Sequence, residues 1–447
     1  MGSGDKEANR VRIAWFTPFS KKSAIGLYSK YACEALKAEY SIEIYTSDTE
    51  ELYETDIPVK RFSTIQEISW SKIDACFYNI GDNSNYHSAI VDCAMHCPGI
   101  LILHDRSILN LWTGYYLLHK EDRSQLQWQL KEHYGEDATD EILDAMSDAQ
   151  KWSRVDSEKY SGLELIVPYA RAVIVHSKYH QAFVEKHCHG PVQLAYFPVP
   201  WDQPCTATCK KPKIMKLLTV GHVNYNKRVA QVIEAIGTSP QLAGTVQYIV
   251  AGSLENEAYA QSLAESIQKY HLQDTVFLKG YTPRDELENL YQKTNILINL
   301  RNPALEGASW SLVEEMLTGK PIIVSKTGFY AEIPEDCVYQ ISTDDSEEIL
   351  AIQNALLWMI DHWDEAQEMG QRAYQYAKMR FAPEQYAAQI QELLEILEFH
   401  KPLEQLVDII CYEFQSIGIN AELDICKEYA DEMEKLFFLP SKWNSDQ

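Results

Sequence analysis

Long apolar runs are missing from this sequence. None of its 447 residues lies in a stretch approaching the ~20 apolar residues that a membrane-spanning helix needs. No signal-peptide core follows Met1, and positions 1–9, opening Met1-Gly2-Ser3-Gly4, read as an unstructured leader. Positive charge is scarce: 40 Lys and Arg stand against 65 Asp and Glu, a net charge of -25. That balance argues against non-specific binding to nucleic acid or to anionic lipid, though a local basic patch would still permit peripheral membrane contact. Paired cysteines are missing too. The ten cysteines are scattered without a CxxC pair, so they read as reduced thiols of a cytoplasmic protein. His187-Cys188-His189, Cys205 with Cys209, and Cys93 with His96 and Cys97 are the nearest approach to zinc ligands, but none is a CxxC pair, and buried or linker cysteines are the commoner use of such groups. No metal is expected.

What is present is globular. With 46% hydrophobic and 23% charged residues the composition is that of a soluble protein, and the length exceeds one ordinary core. Strand-like and helix-like runs alternate in two rounds. The first places strands at Val11–Phe16, Ser41–Tyr45, Ala75–Tyr78, Gly99–Leu103 and Ala172–Val175. The second places them at Lys216–Val220, Gln247–Ala251, Thr275–Leu278, Ile296–Leu300 and Pro321–Val324. Such alternation implies an α/β fold with parallel sheets and right-handed crossovers. The expected architecture is two Rossmann-like domains, 10–200 and 201–379, joined near Pro198-Val199-Pro200-Trp201, with a ligand cleft between them. An insertion at about 109–161 has helical spacing and reads as a helical pair covering one edge of the cleft. Its Trp112, Tyr115 and Tyr116 serve either core packing or stacking on an acceptor sugar. A helix over 380–400 and a helical hairpin over 401–447, split near Gly418, complete the chain. The hairpin is open to three uses: packing, homodimer formation, or docking of a partner enzyme.

The most informative segment is Glu306-Gly307-Ala308-Ser309-Trp310-Ser311-Leu312-Val313-Glu314. Two carboxylates flank a turn of small residues that opens a helix, directly after the apolar run Asn295–Leu300. Free amides at a helix start bind anions, and ligands of open α/β sheets gather at the carboxyl ends of strands. An amide cradle with a carboxylate on either side suits a sugar nucleotide. Three further segments fall at strand ends. Pro18–Gly26 is a loop of small and basic residues that could approach a phosphate through its amides. His104-Asp105 follows the strand 99–103. Gly221–Arg228 follows the first strand of the second round, where Lys227 and Arg228 could neutralise a diphosphate.

On these residues the chain resembles the retaining glycosyltransferases of family four, of bacterial type, with the GT-B fold. The likeness spans roughly 10–395. It is carried most by EGASWSLVEEMLTGKPIIVS and by TVGHVNYNKR, and more weakly by LILHD, VIVHSKY and YNIGDNSNYH, which ends in His87. The family usually has Arg where His222 stands and Gly where Arg228 stands, and its paired glycines after the first strand are reduced to Gly26. The resemblance implies a transferase that moves a sugar from a UDP or GDP sugar to an acceptor hydroxyl with retention and without a metal or other cofactor, as in polysaccharide biosynthesis. It assigns catalysis to His104, Lys227 and Glu306. Donor binding would fall to Gly26, His222, Arg228, Gly280, Tyr281, Ala308, Ser309, Trp310, Ser311 and Glu314. The acceptor, a saccharide, a lipid-linked sugar or a protein side chain, would meet His87, Asp105 and Trp112. Two alternatives stand beside this reading: a catalytically inactive partner subunit, and a sugar phosphorylase or nucleotide-sugar epimerase of the same architecture.

Overall fold

The structure, a computed structural model, describes residues 10–146, 149–152, 155–156, 159–201 and 210–416. The chain forms two compact units, Met1–Ala387 and Ala388–Gln447. The first holds two parallel sheets. Seven strands make the first sheet: β1 (Arg12–Phe16), β2 (Ser41–Thr46), β3 (Val59–Arg61), β4 (Ala75–Ile80), β5 (Ile100–Leu103), β6 (Ala172–Val175) and β7 (Val192–Leu194). Six make the second: β8 (Met215–Val220), β9 (Val246–Ala251), β10 (Val276–Gly280), β11 (Ile296–Asn299), β12 (Ile322–Ser325) and β13 (Tyr339–Ile341). Their spatial orders are 3-2-1-4-5-6-7 and 10-9-8-11-12-13. In each sheet the first strand in sequence lies inside, between strands that run outward in opposite directions. That is the switch point at which doubly wound sheets open a crevice.

The ten strands expected from sequence are all present, and the three that periodicity does not reveal, β3, β7 and β13, are edge strands of three residues. Edge strands are half-solvated, so their apolar signal is short. The inner strands carry the opposite signal. Every residue of β5, β6, β11 and β12 is buried, because helices cover both faces of a parallel sheet. Phe77 of β4 stacks on Trp15 of β1 at 5.1 Å, and burial of such a side chain contributes roughly 1.5–3 kcal/mol. Each sheet has its own core, one built around Phe16, Tyr78 and Leu101, the other around Leu217, Tyr248 and Ile298.

The chain returns to the first domain after the helix Trp363–Arg380. The Val199 amide donates to the Phe381 carbonyl at 2.9 Å, Arg380 lies 4.0 Å over the Tyr196 ring, and the hydroxyls of Tyr28 and Tyr386 meet at 2.6 Å.

Two expectations need correction. The insertion is not a helical pair but a succession of short helices, Leu109–Gly114, Arg123–Tyr134, Glu136–Ala145 and Ala149–Trp152. Leu126, Leu130, Ala138, Ile142 and Tyr160 give it a small core of its own. At the other end there is no break near 400: one helix, Pro383–Ser416, runs through both the expected crossover helix and the first arm of the expected hairpin. Lys401-Pro402 has the local character of a boundary, but Pro at one position removes only one helical hydrogen bond. The rest of the hairpin, the leader 1–9, Cys205 and Cys209 lie outside the described residues. No described helix is long and apolar enough to cross a membrane.

Candidate active site between the two sheets

The two domains meet backbone to backbone at the carboxyl ends of β5 and β11. Asp105 and Glu306 form an antiparallel bridge. Around it the Gly307 amide donates to the His104 carbonyl and the Arg106 amide to the Leu305 carbonyl, each at 2.8 Å. Ser177, after β6, donates its hydroxyl to the Gly307 carbonyl. The pairing fixes the turn that carries Glu306 against the strand end that carries His104 and Asp105.

Glu306 is held on one carboxylate oxygen. The Arg301 Nε donates to Oε1 at 2.6 Å and the Tyr330 hydroxyl at 2.5 Å. Burial alone would raise this carboxyl, but Arg301, Tyr330 and Lys227 outweigh it and hold it below the ordinary carboxylate range. Glu306 is therefore an anion in a largely dehydrated setting. Eight positions on, Glu314 sits in the helix Trp310–Leu317 and accepts from Arg284 Nη1 at 2.6 Å. Between them Ser309 caps the helix, accepting from the Leu312 amide at 3.3 Å. The amides of the first helical turn have no intrahelical partner, and the dipole favours an anion in front of them. The Tyr31 ring of the first domain stacks on Trp310 at 6.0 Å and 5°.

Lys227 reaches the same centre from the loop after β8. It is 6% exposed, and its Nζ donates to the Val220 carbonyl at 2.6 Å. Gly221 makes this possible: its φ of 97° favours glycine, and a Cβ there would lie 2.8 Å from that Nζ. Burial pushes the ammonium down, Arg301 adds repulsion, and Glu306 and Glu315 oppose both. Glu315 is fully buried and accepts from Asn299 Nδ2 at 2.9 Å. Burial raises its carboxyl, against that hydrogen bond and the two nearby cations.

On the first-domain side, the β4 residue Asn79 organises two histidines. Its Oδ1 meets His104 Nε2 at 3.0 Å, and its carbonyl meets His87 Nδ1 at 2.9 Å. Both rings are buried and uncharged; burial lowers His104 well below the usual range and His87 to about 4. Asp82, after β4, donates its amide to Asp105 Oδ2 at 2.9 Å and accepts from the Leu111 amide at 3.1 Å. Burial and Asp105 push the Asp82 carboxyl up to about 8, and burial, with Glu306 opposing ionisation too, pushes Asp105 up to about 6.

Asp82 supports a test that needs no substrate. An acid whose folded-state pKa is raised is stable while protonated and costs stability as it ionises. The cost grows from the unfolded value of 3.8 to the folded value of about 8. Relative to the parent, Asp82→Asn is expected to gain in melting temperature progressively between pH 5 and pH 8. A difference that does not change with pH would show that Asp82 ionises freely.

The remaining sequence-derived candidates are placed unevenly. Ala308 and Ser309 are buried in the Glu306 turn, with Ser311 and Trp310 at the helix start. His222 is exposed, its Nδ1 3.0 Å from the Ser253 hydroxyl. Gly280 ends β10, with its carbonyl taken by the Gly252 amide and the Thr282 hydroxyl. Tyr281 beside it is 79% exposed. Three assignments are overturned. Arg228 does not point to the cleft: its guanidinium is neutralised by Glu348 and Asp345. Gly26 offers no amide, since its N–H goes to the Ser23 hydroxyl; it is glycine because a Cβ would lie 2.9 Å from the Pro18 carbonyl. Of the loop's other amides, those of Phe19 and Ser20 go to Asp48. Trp112 cannot stack on a sugar, being 1% exposed in the first-domain core with its Nε1 on the Gly162 carbonyl.

Sequence patterns do not single out Arg301, Tyr330, Glu315, Arg284 or Asp82. Arg301 was within reach, as a cation directly after an apolar strand and five positions before Glu306; Tyr330 and Arg284 arrive from segments with no such cue. Among the described residues no cluster of three His, Cys, Asp or Glu could hold a metal ion.

Comparison with known proteins agrees with this fold. Residues 209–376 match the sequence model of the family described as Glycosyl transferases group 1. No curated protein sequence matches the chain. Among solved structures, HepE of Anabaena, in complex with UDP and glucose, is similar over 86% of this chain and 99% of its own, at 16% identity and a TM-score of 0.58. Sucrose-phosphate synthase of Thermosynechococcus elongatus is similar over 87% and 99%, at 15% identity and a TM-score of 0.59. WaaG, a glycosyltransferase involved in lipopolysaccharide biosynthesis, is similar over 84% and 98%, at 15% identity and a TM-score of 0.52.

Proposed function

We propose that this chain, a group 1 glycosyltransferase with the GT-B fold, moves a sugar from a nucleoside diphosphate sugar to an acceptor hydroxyl with retention and without a metal. The observation that carries this reading is the bridge between Asp105 and Glu306. It sets a cradle with an anionic carboxylate and a buried lysine directly against a polar strand end of the facing domain. Donor use separates the alternatives: a phosphorylase needs inorganic phosphate, an epimerase needs no acceptor, and a non-catalytic partner would have little reason to keep Glu306, Lys227 and His104 together.

In this reading the diphosphate lies before the amides of Ala308 to Ser311, with Lys227 against its leaving oxygen. Glu306 takes hydroxyls of the donor sugar through the oxygen that Arg301 and Tyr330 leave open, and Glu314 takes those of the ribose. Breaking the bond from the anomeric carbon to phosphate oxygen places charge on the diphosphate, where Lys227 and the helix dipole stabilise it. The acceptor oxygen bonds to the same carbon from the same face, and its proton passes to the departing phosphate. His104, its Nε2 committed to Asn79, presents Nδ1 to the reacting sugar. The cations and amides do the work a metal does elsewhere, in a cytoplasmic setting.

The direct test is a thermal-shift and calorimetry panel of UDP, GDP, ADP and their glucose conjugates, each with and without EDTA. A ligand at a hundred times its Kd adds about 2.7 kcal/mol of stability. One nucleotide family is expected to raise the melting temperature equally in both conditions, and the UDP complex of HepE makes UDP the first to try. A response abolished by EDTA would overturn metal independence, and silence from every nucleotide would overturn the transferase reading.

A further inference from the structure

The transfer chemistry leaves Glu315 without a task. This side chain is fully buried in the helix Trp310–Leu317, one turn after Ser311, and meets the buried Asn299 at the end of β11. Asn299 Nδ2 donates to Glu315 Oε2 at 2.9 Å and to Ser311 Oγ at 3.2 Å. The other oxygen of each group, Asn299 Oδ1 and Glu315 Oε1, is buried without a hydrogen-bond partner. Buried polar atoms are nearly always paired, so two orphaned acceptors on one amide and one carboxyl need a cause. What they lack is a hydrogen. A protonated carboxyl supplies it, because it donates through its O–H while its other oxygen still accepts.

The surrounding charges give that proton a purpose. The titratable groups facing Glu315 are Lys227 from the loop after β8, Arg301 after β11, Glu314 on the same helix, and Tyr291 from the helix Arg284–Lys293. Arg301 is neutralised by Glu306, and Glu314 by Arg284. Burial holds the Tyr291 hydroxyl well above its ordinary range, so it carries no charge. Lys227 and Glu315 are left to set the net charge behind the amide cradle. An ionised Glu315 cancels an ammonium at Lys227, whereas a protonated one leaves that charge whole for a diphosphate. Burial raises the Glu315 carboxyl to about 7, against the Asn299 N–H and the two cations.

We infer that Glu315 is a positioning residue for the donor: as the neutral acid, its O–H on Asn299 Oδ1, it leaves the Lys227 ammonium uncompensated for the diphosphate, and its ionisation weakens nucleotide binding. The inference rests on the transferase reading and deepens its donor site. The proton ledger follows. Binding a nucleoside diphosphate places one proton on the Lys227 amine and returns a second to Glu315 wherever that group has ionised. Both come from solution. By linkage, each proton taken up per ligand lowers affinity tenfold for every unit that the pH rises. Lys227 alone accounts for one at most.

The experiment titrates UDP and GDP into the full chain at about pH 8, in buffers of different ionisation enthalpy, and counts the protons taken up. The second pKa of a phosphate is about 6, so at this pH the nucleotide has no phosphate proton of its own to release. The parent is expected to take up more than one proton per nucleotide, and to lose more than tenfold in affinity between pH 8 and pH 9. Glu315→Gln, whose amide can pair with Asn299 as the acid does, is expected to take up no more than one. Its loss over the same interval should be tenfold or less. The parent's count stands by itself if the substitution fails to fold. Uptake of one proton or fewer in the parent, or equal uptake in the two proteins, would overturn the inference and leave the donor site as described. Absence of binding by both nucleotides in a folded parent would overturn the transferase reading, and the inference with it.

Discussion

Glu306→Gln is expected to lower sugar transfer by about 10²–10³-fold, the loss typical when one group aimed at a transition state is removed, while changing the melting temperature little. The choice of glutamine follows from the surroundings. Arg301 is 5% exposed and places its Nε on Glu306, as Tyr330 does its hydroxyl. An amide oxygen still accepts from both. Glu306→Ala would leave a buried guanidinium without its anion, a change that costs about 3–5 kcal/mol. Its lost activity would then be indistinguishable from lost fold. Steady-state rates with calorimetry on the glutamine variant separate the two. Retention of a tenth or more of the parent rate would remove Glu306 from catalysis.

The second large effect is on the nucleotide. Lys227→Ala is expected to weaken nucleoside diphosphate binding by about 10–100-fold, corresponding to the roughly 1.5–3 kcal/mol of a hydrogen bond to a charged group. Burial and Arg301 favour the neutral amine in the free protein, whereas a bound diphosphate favours the ammonium. Binding should therefore draw a proton from solution, and affinity should fall as pH rises. Calorimetry in buffers of different ionisation enthalpy reads that proton directly. Equal affinity in Lys227→Ala would sink the assignment, and binding without proton uptake would place the ammonium already charged. Arg228→Ala is the useful contrast. Its salt bridges run to Glu348 and Asp345, away from the cradle, so its loss belongs to the stability of the second domain.

Much of this organisation is legible in the order of the residues. The doubly wound pattern shows because an inner strand of a parallel sheet is buried on both faces and reads as an apolar run. The Glu306 turn shows for the same reason, being a break in such a run followed by a helix start. Edge strands such as β13 do not show, since three half-solvated residues carry no period. Trp112 misleads because aromatic residues at helical spacing look alike whether they face a core or a ligand. Arg228 misleads because its neighbour in sequence is a cation while its partners, Glu348 and Asp345, lie more than a hundred positions away.

By itself, then, the sequence determined the two α/β domains, the strand ends where a ligand would sit, and the carboxylates and lysine able to handle a sugar nucleotide, because these depend on local periodicity and on residue type. Only the tertiary structure decided which charges are free. Whether a cation meets a ligand or a carboxylate depends on what another segment brings within about 3 Å, the reach of a hydrogen bond. That distance gives Arg301 to Glu306, takes Arg228 out of the cleft, and sets Asp82, Asp105 and His87 around one pocket.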